Sequence, residues 1–458
     1  LGTACNVVAI GAGALRCNQN GHNSTGVGIS VLCNLVSAHN NTGFGAFALT
    51  TNTTGAQNTA VGACALYDSV SGSKNEAFGF MALNNNTTGQ CNTASGSYAL
   101  ATSTTGSCNT AIGPSTSYSN TTGSGNTAVG HHAMCSNTSA NHNAAVGYQA
   151  LCSNTTGTSN AALGACSLFN NVCGNSDTAV GFKALVANTC GCKNTAVGEG
   201  ALASNTTAGF NTAVGSCALN SNTTTGNNAA FGQSALRANT TGFSNAAVGT
   251  FALENNTTGC RNTAVGGNAG DANTTGKCNT FIGYNADTGC LDHDNQIVIG
   301  HGATGAGDNR TVIGNSNTTH TNLCGALSKS SGTFIIAHPD PAKRETKDLQ
   351  HSFVESPTEG DNLYRYSVEV TNNKSVIELP DYYRYLNKND MVWVAPTDHF
   401  GAAYGKVTSD QRCLEVCANA DGCYNVLLIG TRKDICATTA WTGVEPDRGP
   451  GSPTRTIA

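Results

Sequence analysis

The sequence predicts an all-β protein: a parallel β-solenoid or β-roll of eighteen 17-residue coils, followed by a small β-sandwich-like C-terminal domain. Three observations predict this. One glycine recurs at a constant interval from Gly11 to Gly300, the repeats are poor in helix-forming residues, and the composition changes after Gly325.

The recurring glycine defines the repeat. It occurs eighteen times without insertion or deletion, at Gly11, Gly28, Gly45, Gly62, Gly79, Gly96, Gly113, Gly130, Gly147, Gly164, Gly181, Gly198, Gly215, Gly232, Gly249, Gly266, Gly283 and Gly300. The consensus around it is N-T-A-V-G-x-x-A-L-x-x-N-T-T-G-x-x. Units this short cannot bury a core of their own and must stack on their neighbours.

Composition favours strands over helices in these coils. The chain up to Gly325 carries only 18 charged side chains, and Gly, Asn, Thr and Ser are poor helix formers that suit tight turns. We therefore expect one strand at Thr195–Val197, a turn at Gly198, a second short strand around Ala201 and Leu202, and a turn at 205–207. Coils about 4.8 Å apart give a solenoid of about 85 Å.

Strand alternation groups the residues of a coil by face. Thr195 and Val197 share one face, and Ala196 shares the other with Gly198. We expect the larger Val197 and Leu202 columns to form a thin core. The columns of small residues would then let another chain approach closely, which favours a homotrimer over a single-chain or dimeric solenoid.

The cysteines follow the same period. Three pairs lie one repeat length apart and two more pairs miss that register by one position, as follows: Cys91 with Cys108, Cys135 with Cys152, Cys173 with Cys190, Cys260 with Cys278, and Cys17 with Cys33. Neighbouring coils place such residues about 5 Å apart, within disulfide range. Disulfides between coils would imply an oxidising, extracellular setting. Alternatively, cysteine is simply a small buried apolar residue here. No Cys-x2-Cys pair occurs, which disfavours zinc.

The repeats end where charge and proline appear. We expect the solenoid over 1–325, with a shorter 14-residue last step, a β-rich domain over 326–436 and a tail over 437–458. "NLYRYSVEV" and "KSVIELP" flank Asn372-Asn373 and indicate a hairpin. "DMVWVAP" and "YNVLLIG" indicate further strands. The net charge of −5 argues against nucleic acid, and no apolar run is long enough for a membrane span.

The motif "NTAVG…AL…NTTG", and more closely "NQIVIGHGATGAGDNRTVIGNSN", resembles the head repeats of trimeric autotransporter adhesins and related repeats in tail and capsid fibres of phages and large DNA viruses. The adhesin repeat is shorter, so this chain has a longer second turn. The segment from His338 to Val370, with "VLLIGTRKD", resembles a C-terminal module of viral fibre proteins. The resemblance implies a left-handed homotrimer on a virion surface, with other virion proteins and a host surface glycan or protein as partners.

Asparagine recurs at the turn of nine coils within Asn-Thr-Thr, a glycosylation sequon. The candidates are Asn52, Asn86, Asn120, Asn154, Asn205, Asn222, Asn239, Asn256 and Asn273. The alternative is a turn with a ladder of stacked asparagines, which the close spacing of consecutive coils favours.

No pattern indicates catalysis, a metal or a cofactor. His131-His132 and Asp292-His293-Asp294 are the densest groups of metal-type ligands, and we interpret both as ordinary loop residues. No nucleophile–base arrangement or phosphate loop stands out, so we expect no enzyme.

An aromatic run in the C-terminal domain offers candidates for receptor binding, namely Tyr382, Tyr383, Tyr385 and Trp393. Some of these must be core residues, and exposed ones could contact a glycan or protein.

We therefore predict a structural fibre or adhesin that attaches a virus to its host by multivalent binding. The alternative is a filament or decoration protein whose C-terminal domain only trimerises or caps the shaft. An ice-binding solenoid is disfavoured, because we expect the Thr195 column to point inward with valine.

Overall fold

The structure, a computed structural model, describes residues 4–321, 333–337, 348–352, 361–398 and 400–432. The chain divides into two compact units, Leu1–Asn322 and Leu323–Ala458. This boundary lies close to the one expected at Gly325. The expected tail, 437–458, lies outside the described residues.

The first unit is the predicted parallel β-solenoid. Each coil contributes one three-residue strand, and nineteen strands form one parallel sheet. Each strand pairs with the strand one repeat away, as Thr195 does with Thr212, until the shorter last step, where Ile297 pairs with Thr311. The strands are β1 (Val8–Ile10), β2 (Thr25–Val27), β3 (Thr42–Phe44), β4 (Thr59–Val61), β5 (Glu76–Phe78), β6 (Thr93–Ser95), β7 (Thr110–Ile112), β8 (Thr127–Val129), β9 (Ala144–Val146), β10 (Ala161–Leu163), β11 (Thr178–Val180), β12 (Thr195–Val197), β13 (Thr212–Val214), β14 (Ala229–Phe231), β15 (Ala246–Val248), β16 (Thr263–Val265), β17 (Thr280–Ile282), β18 (Ile297–Ile299) and β19 (Thr311–Ile313).

The second strand expected in each coil is absent from the repeat of β12. Residues 199–204 form turns instead, and Leu202 adopts a left-handed conformation with φ of 51°. Its N–H still donates to the carbonyl of Ala218 in the next coil at 3.0 Å. Hydrogen bonding between coils thus continues without a strand, because every coil repeats the same dihedral angles in register.

The glycine period has a local cause. Gly198 has a φ of 135°, which non-glycine residues rarely adopt. A Cβ at this position would lie 2.5 Å from the carbonyl oxygen of Gly215 in the next coil. Backbone conformation and coil stacking therefore both exclude a side chain here.

The core of the solenoid differs from the expectation. Ala196, Ala201 and Leu202 are fully buried, whereas Val197 reaches the surface. The prediction that valine faces the core is wrong, because alanine from the strand and leucine from the turn already fill the narrow interior. The small-residue columns pack inside the coil or against the next one. The buried alanine columns offer no surface to another chain, so the close approach expected along them is wrong, whereas Gly198 stays partly exposed.

The C-terminal unit contains antiparallel sheets. β20 (Thr333–Ala337) pairs with β21 (Asp348–Ser352). Two three-stranded sheets have the orders β22-β27-β24 and β23-β26-β25. Their bounds are β22 (Asp361–Val370), β23 (Lys374–Glu378), β24 (Asn387–Pro396), β25 (Ala403–Val407), β26 (Cys413–Ala418) and β27 (Gly422–Arg432), with a short helix α1 (Tyr383–Leu386) before β24. One core lies between these two sheets and includes Val416 and Val426.

The predicted hairpin is correct in its turn and wrong in its pairing. Asn372 and Asn373 both have positive φ, as a tight turn requires. However, β22 pairs with β27 and β23 pairs with β26. The turn therefore carries the chain from one sheet to the other, because the inward-facing residues of both strands belong to the shared core.

Candidate functional site

An apolar column runs along the outside of the solenoid. It is formed by the last residue of each strand from β1 to β18, and Ser95 is the single polar member. The exposed fraction reaches 59% at Ile10 and 55% at Phe44, and Val197 is half-buried. Sequence reasoning missed this face, because alternation shows which residues share a face but not which face is buried.

The threonine column lies beside it on the same outward face. Thr195 and Thr212 are partly exposed, contrary to the expectation that they point inward. The face is not a uniform array, since Phe44, Phe78 and Phe231 project from it among valines.

The recurring asparagines form a buried ladder. Asn205 is fully buried, and its amide donates to Asn188 Oδ1 at 2.9 Å and to the carbonyl of Ala208 at 3.1 Å. The other sequon asparagines are equally enclosed, with exposed fractions of 1% or less: Asn52, Asn86, Asn120, Asn154, Asn222, Asn239, Asn256 and Asn273. The glycosylation prediction is therefore wrong for the folded chain, because the nitrogen that would carry the glycan is enclosed.

A second buried ladder runs beside the first and contains one acid. Asp177 stands where most coils have asparagine, as at Asn160 and Asn194. Its Oδ1 accepts hydrogen bonds from the N–H and the amide of Asn194, at 2.8 and 3.1 Å, and its Oδ2 accepts from Asn188 at 3.2 Å. Burial raises the pKa of Asp177 to about 7. The departure from consensus was visible in the sequence, but its burial was not.

One disulfide joins neighbouring coils, between Cys173 and Cys190, with their α-carbons 4.8 Å apart. The Sγ atoms of Cys135 and Cys152 lie 2.8 Å apart and are not joined by a disulfide, so their pairing stays a prediction. The hydrogen bond from Cys152 lowers the pKa of Cys135. Six other candidates are free cysteines in the structure, and their pairing stays a prediction: Cys17, Cys33, Cys91, Cys108, Cys260 and Cys278.

The two groups of metal-type ligands have local partners. His131 packs against His132, with ring centroids 4.0 Å apart, and stacks on Tyr148. Asp294 accepts a hydrogen bond from the N–H of Lys277. Within the described residues, no three His, Cys, Asp or Glu side chains come together as metal ligands.

The aromatic candidates of the C-terminal domain separate by position. Tyr383 is fully buried and donates to Asp390 Oδ1 at 2.6 Å, so its assignment to receptor binding is wrong. It lies in helix α1, whose turn directs it into the core. Tyr382 and Tyr385 are half-buried, and the Tyr385 hydroxyl accepts a hydrogen bond from Arg384. Trp393 is 55% exposed.

Trp393 lies on the outer face of the sheet β22-β27-β24. It pairs across the sheet with Leu427, which pairs in turn with Arg365. Together with Asn425 these residues line an open cavity of about 570 Å³. The sequence indicated Trp393 alone, because the order of the strands brings the other residues beside it.

The chain matches no protein-family model and no curated protein. Within the described residues, no helix is long and apolar enough to cross a membrane.

Proposed function

We propose that this protein is a structural fibre or adhesin that self-associates along its solenoid, as a homotrimer, and attaches a virus particle to its host. The observation that carries this proposal is the outward apolar column. The viral setting and the copy number of three rest on the resemblance to adhesin heads and viral fibres.

The size of the outward face supports self-association. A solenoid of about 85 Å with a strand width of about 10 Å presents about 850 Å², close to the roughly 800 Å² that each partner buries in a stable interface. The Val, Ile and Phe side chains occupy part of this face, beside the threonine column. An exposed apolar column that runs the length of a solenoid is typical of a surface that another chain covers.

Multivalency would then provide attachment. Parallel chains of one oligomer present identical C-terminal domains together, and several weak contacts made together exceed the affinity of each one. The exposed side chain of Trp393 favours this role over the alternative filament or decoration function, in which the C-terminal domain only trimerises or caps the shaft.

The oligomer is tested by light scattering on the full chain and on a double variant, Val197→Asp with Val214→Asp. We expect the parent to have three times the chain mass of 46.4 kDa and the double variant to dissociate. Thr207→Asp with Thr224→Asp places the same charges on an exposed column of the same coils and should leave the oligomer intact. A monomeric parent would refute the proposed self-association.

Acrylamide quenching of Trp393 fluorescence, in a Trp441→Phe background, distinguishes host attachment from the capping or assembly function. Fluorescence that is quenched freely in the oligomer supports an attachment surface. Protection of Trp393 in the oligomer supports the capping or assembly alternative instead.

A further inference from the structure

We propose that the outer face of β22-β27-β24 binds an acidic saccharide, a pyranose that carries a carboxylate, between Trp393 and Arg365. This inference names the ligand class of the attachment surface and rests on the proposed function for its biological role.

The first feature is the exposed indole. Trp393 keeps 55% of its surface in solvent, although the other face of the same sheet supplies a core. A flat ring fixed on a strand loses little conformational entropy on binding, and its face suits the C–H groups of a sugar ring. Strand β24 holds it at the centre of its pairing with β27.

The second feature is an isolated charge. Among the described residues that line the cavity, Arg365 is the one charged side chain, beside Asn425, Leu427 and Trp393. No acidic side chain in the described part of the chain forms an ion pair with it. A guanidinium binds a carboxylate through two parallel hydrogen bonds, which gives an acidic sugar a defined orientation.

The third feature is the spacing. Arg365 and Trp393 both pair with Leu427, so they stand two strand spacings apart, about 10 Å. Linked pyranose rings cover this distance, with one ring on the indole and a carboxylate at the guanidinium. The cavity of about 570 Å³ is within the usual size of small-ligand sites. Asn425 adds an amide at the rim that can bond to sugar hydroxyls.

The test uses the full chain with Trp441→Phe, so that Trp393 is the single tryptophan fluorophore. The probes are tri-galacturonic acid and its methyl ester, which differ in charge, and sialyllactose and lactose, which separate sialic acid from uronic acid sources. We expect saturable fluorescence changes with one or both acidic probes, and at least tenfold weaker binding of the corresponding neutral probe.

Two variants and one control decide the site. Arg365→Gln should weaken binding of the acidic probe at least tenfold and remove the preference for it over its neutral counterpart. Trp393→Leu should abolish binding of the acidic probe, measured by calorimetry because this variant lacks the fluorophore. Lys406→Gln removes an exposed cation from the other sheet and should change nothing. No binding of either acidic probe, equal binding of charged and neutral probes, or binding that survives both site variants would overturn the inference.

Failure of the site is distinguishable from failure of the proposed function. Absence of binding to either acidic probe, together with host attachment that survives Trp393→Leu, would refute the saccharide site and leave the fibre function standing. Saccharide binding by a chain that never associates with host surfaces would support the site and refute the attachment function.

Discussion

The buried acid in the asparagine ladder gives a prediction with a worked magnitude. Replacing Asp177 with asparagine restores the residue found in most coils at this position and removes a carboxyl that contacts only amides and a backbone N–H. An amide can also donate to a carbonyl of the following turn, as Asn194 does to Ala208 at 2.8 Å. An ionised carboxylate has no hydrogen to offer there.

The size of the effect follows from the pKa. Burial raises the pKa of Asp177 from 3.8 to about 7, and one pKa unit is worth about 1.4 kcal/mol, so ionisation costs the folded state about 4 kcal/mol. Below about pH 4 the carboxyl is protonated in both states and the penalty is absent. As the pH rises from about 4 to 7 the unfolded chain ionises first, so the free energy of unfolding falls and then stays low above pH 7.

The assay is urea unfolding followed by circular dichroism at several pH values. We expect the difference in free energy of unfolding between Asp177→Asn and the parent to grow from pH 4 to pH 7. At pH 8 the variant should be more stable by up to about 4 kcal/mol. Asp292→Asn, at an exposed position outside the ladder, controls for the loss of one charge. A stability difference that does not change with pH, or a variant that is less stable at pH 8, would refute this reasoning.

Three further predictions concern the stacking of coils, all measured by urea unfolding. In the first ladder, the Ser103 hydroxyl and Asn86 Oδ1 are buried without a hydrogen-bond partner. Ser103→Asn should stabilise the folded chain by about 1 kcal/mol for each hydrogen bond that the amide restores. Gly198→Ala should destabilise by about 3 kcal/mol, because it combines a strained φ with a clash against the next coil. Cys173→Ser should destabilise the oxidised chain by about 3 kcal/mol, since it opens the loop that the disulfide closes between two coils.

Each of these has a matched control. Ser71→Asn changes an exposed serine of the solenoid and should be neutral. Gly302→Ala shares a positive φ, but its Cβ would lie 3.8 Å from Asn315 Nδ2, an ordinary contact, so it should lose only about 1 kcal/mol. Cys217→Ser replaces a free thiol and should have little effect. A variant and its control with equal stabilities would contradict the corresponding explanation.

The sequence by itself determined the solenoid, because a strict 17-residue period leaves only in-register stacking. The first strand of each coil and the glycine at each turn follow from that period, and the interval from Gly300 to Gly314 marks the shorter final step. The proximity of Cys173 and Cys190 was also predictable, since residues one period apart must become neighbours, whereas the bond itself was not, because Cys91 and Cys108 have the same spacing and are free.

Tertiary structure alone decided which face of each coil is buried. Strand alternation places Thr195 and Val197 on the same face, whichever face is buried. Valine points outward because Ala196 and Leu202 fill the narrow interior of the coil. The same holds for the ladders, where stacking encloses the asparagines that looked like exposed sequons. It holds again for Arg365 and Trp393, which are distant in sequence and meet only because β27 lies between their strands. Local sequence sets dihedral angles and periodicity, whereas burial depends on what the rest of the chain places opposite.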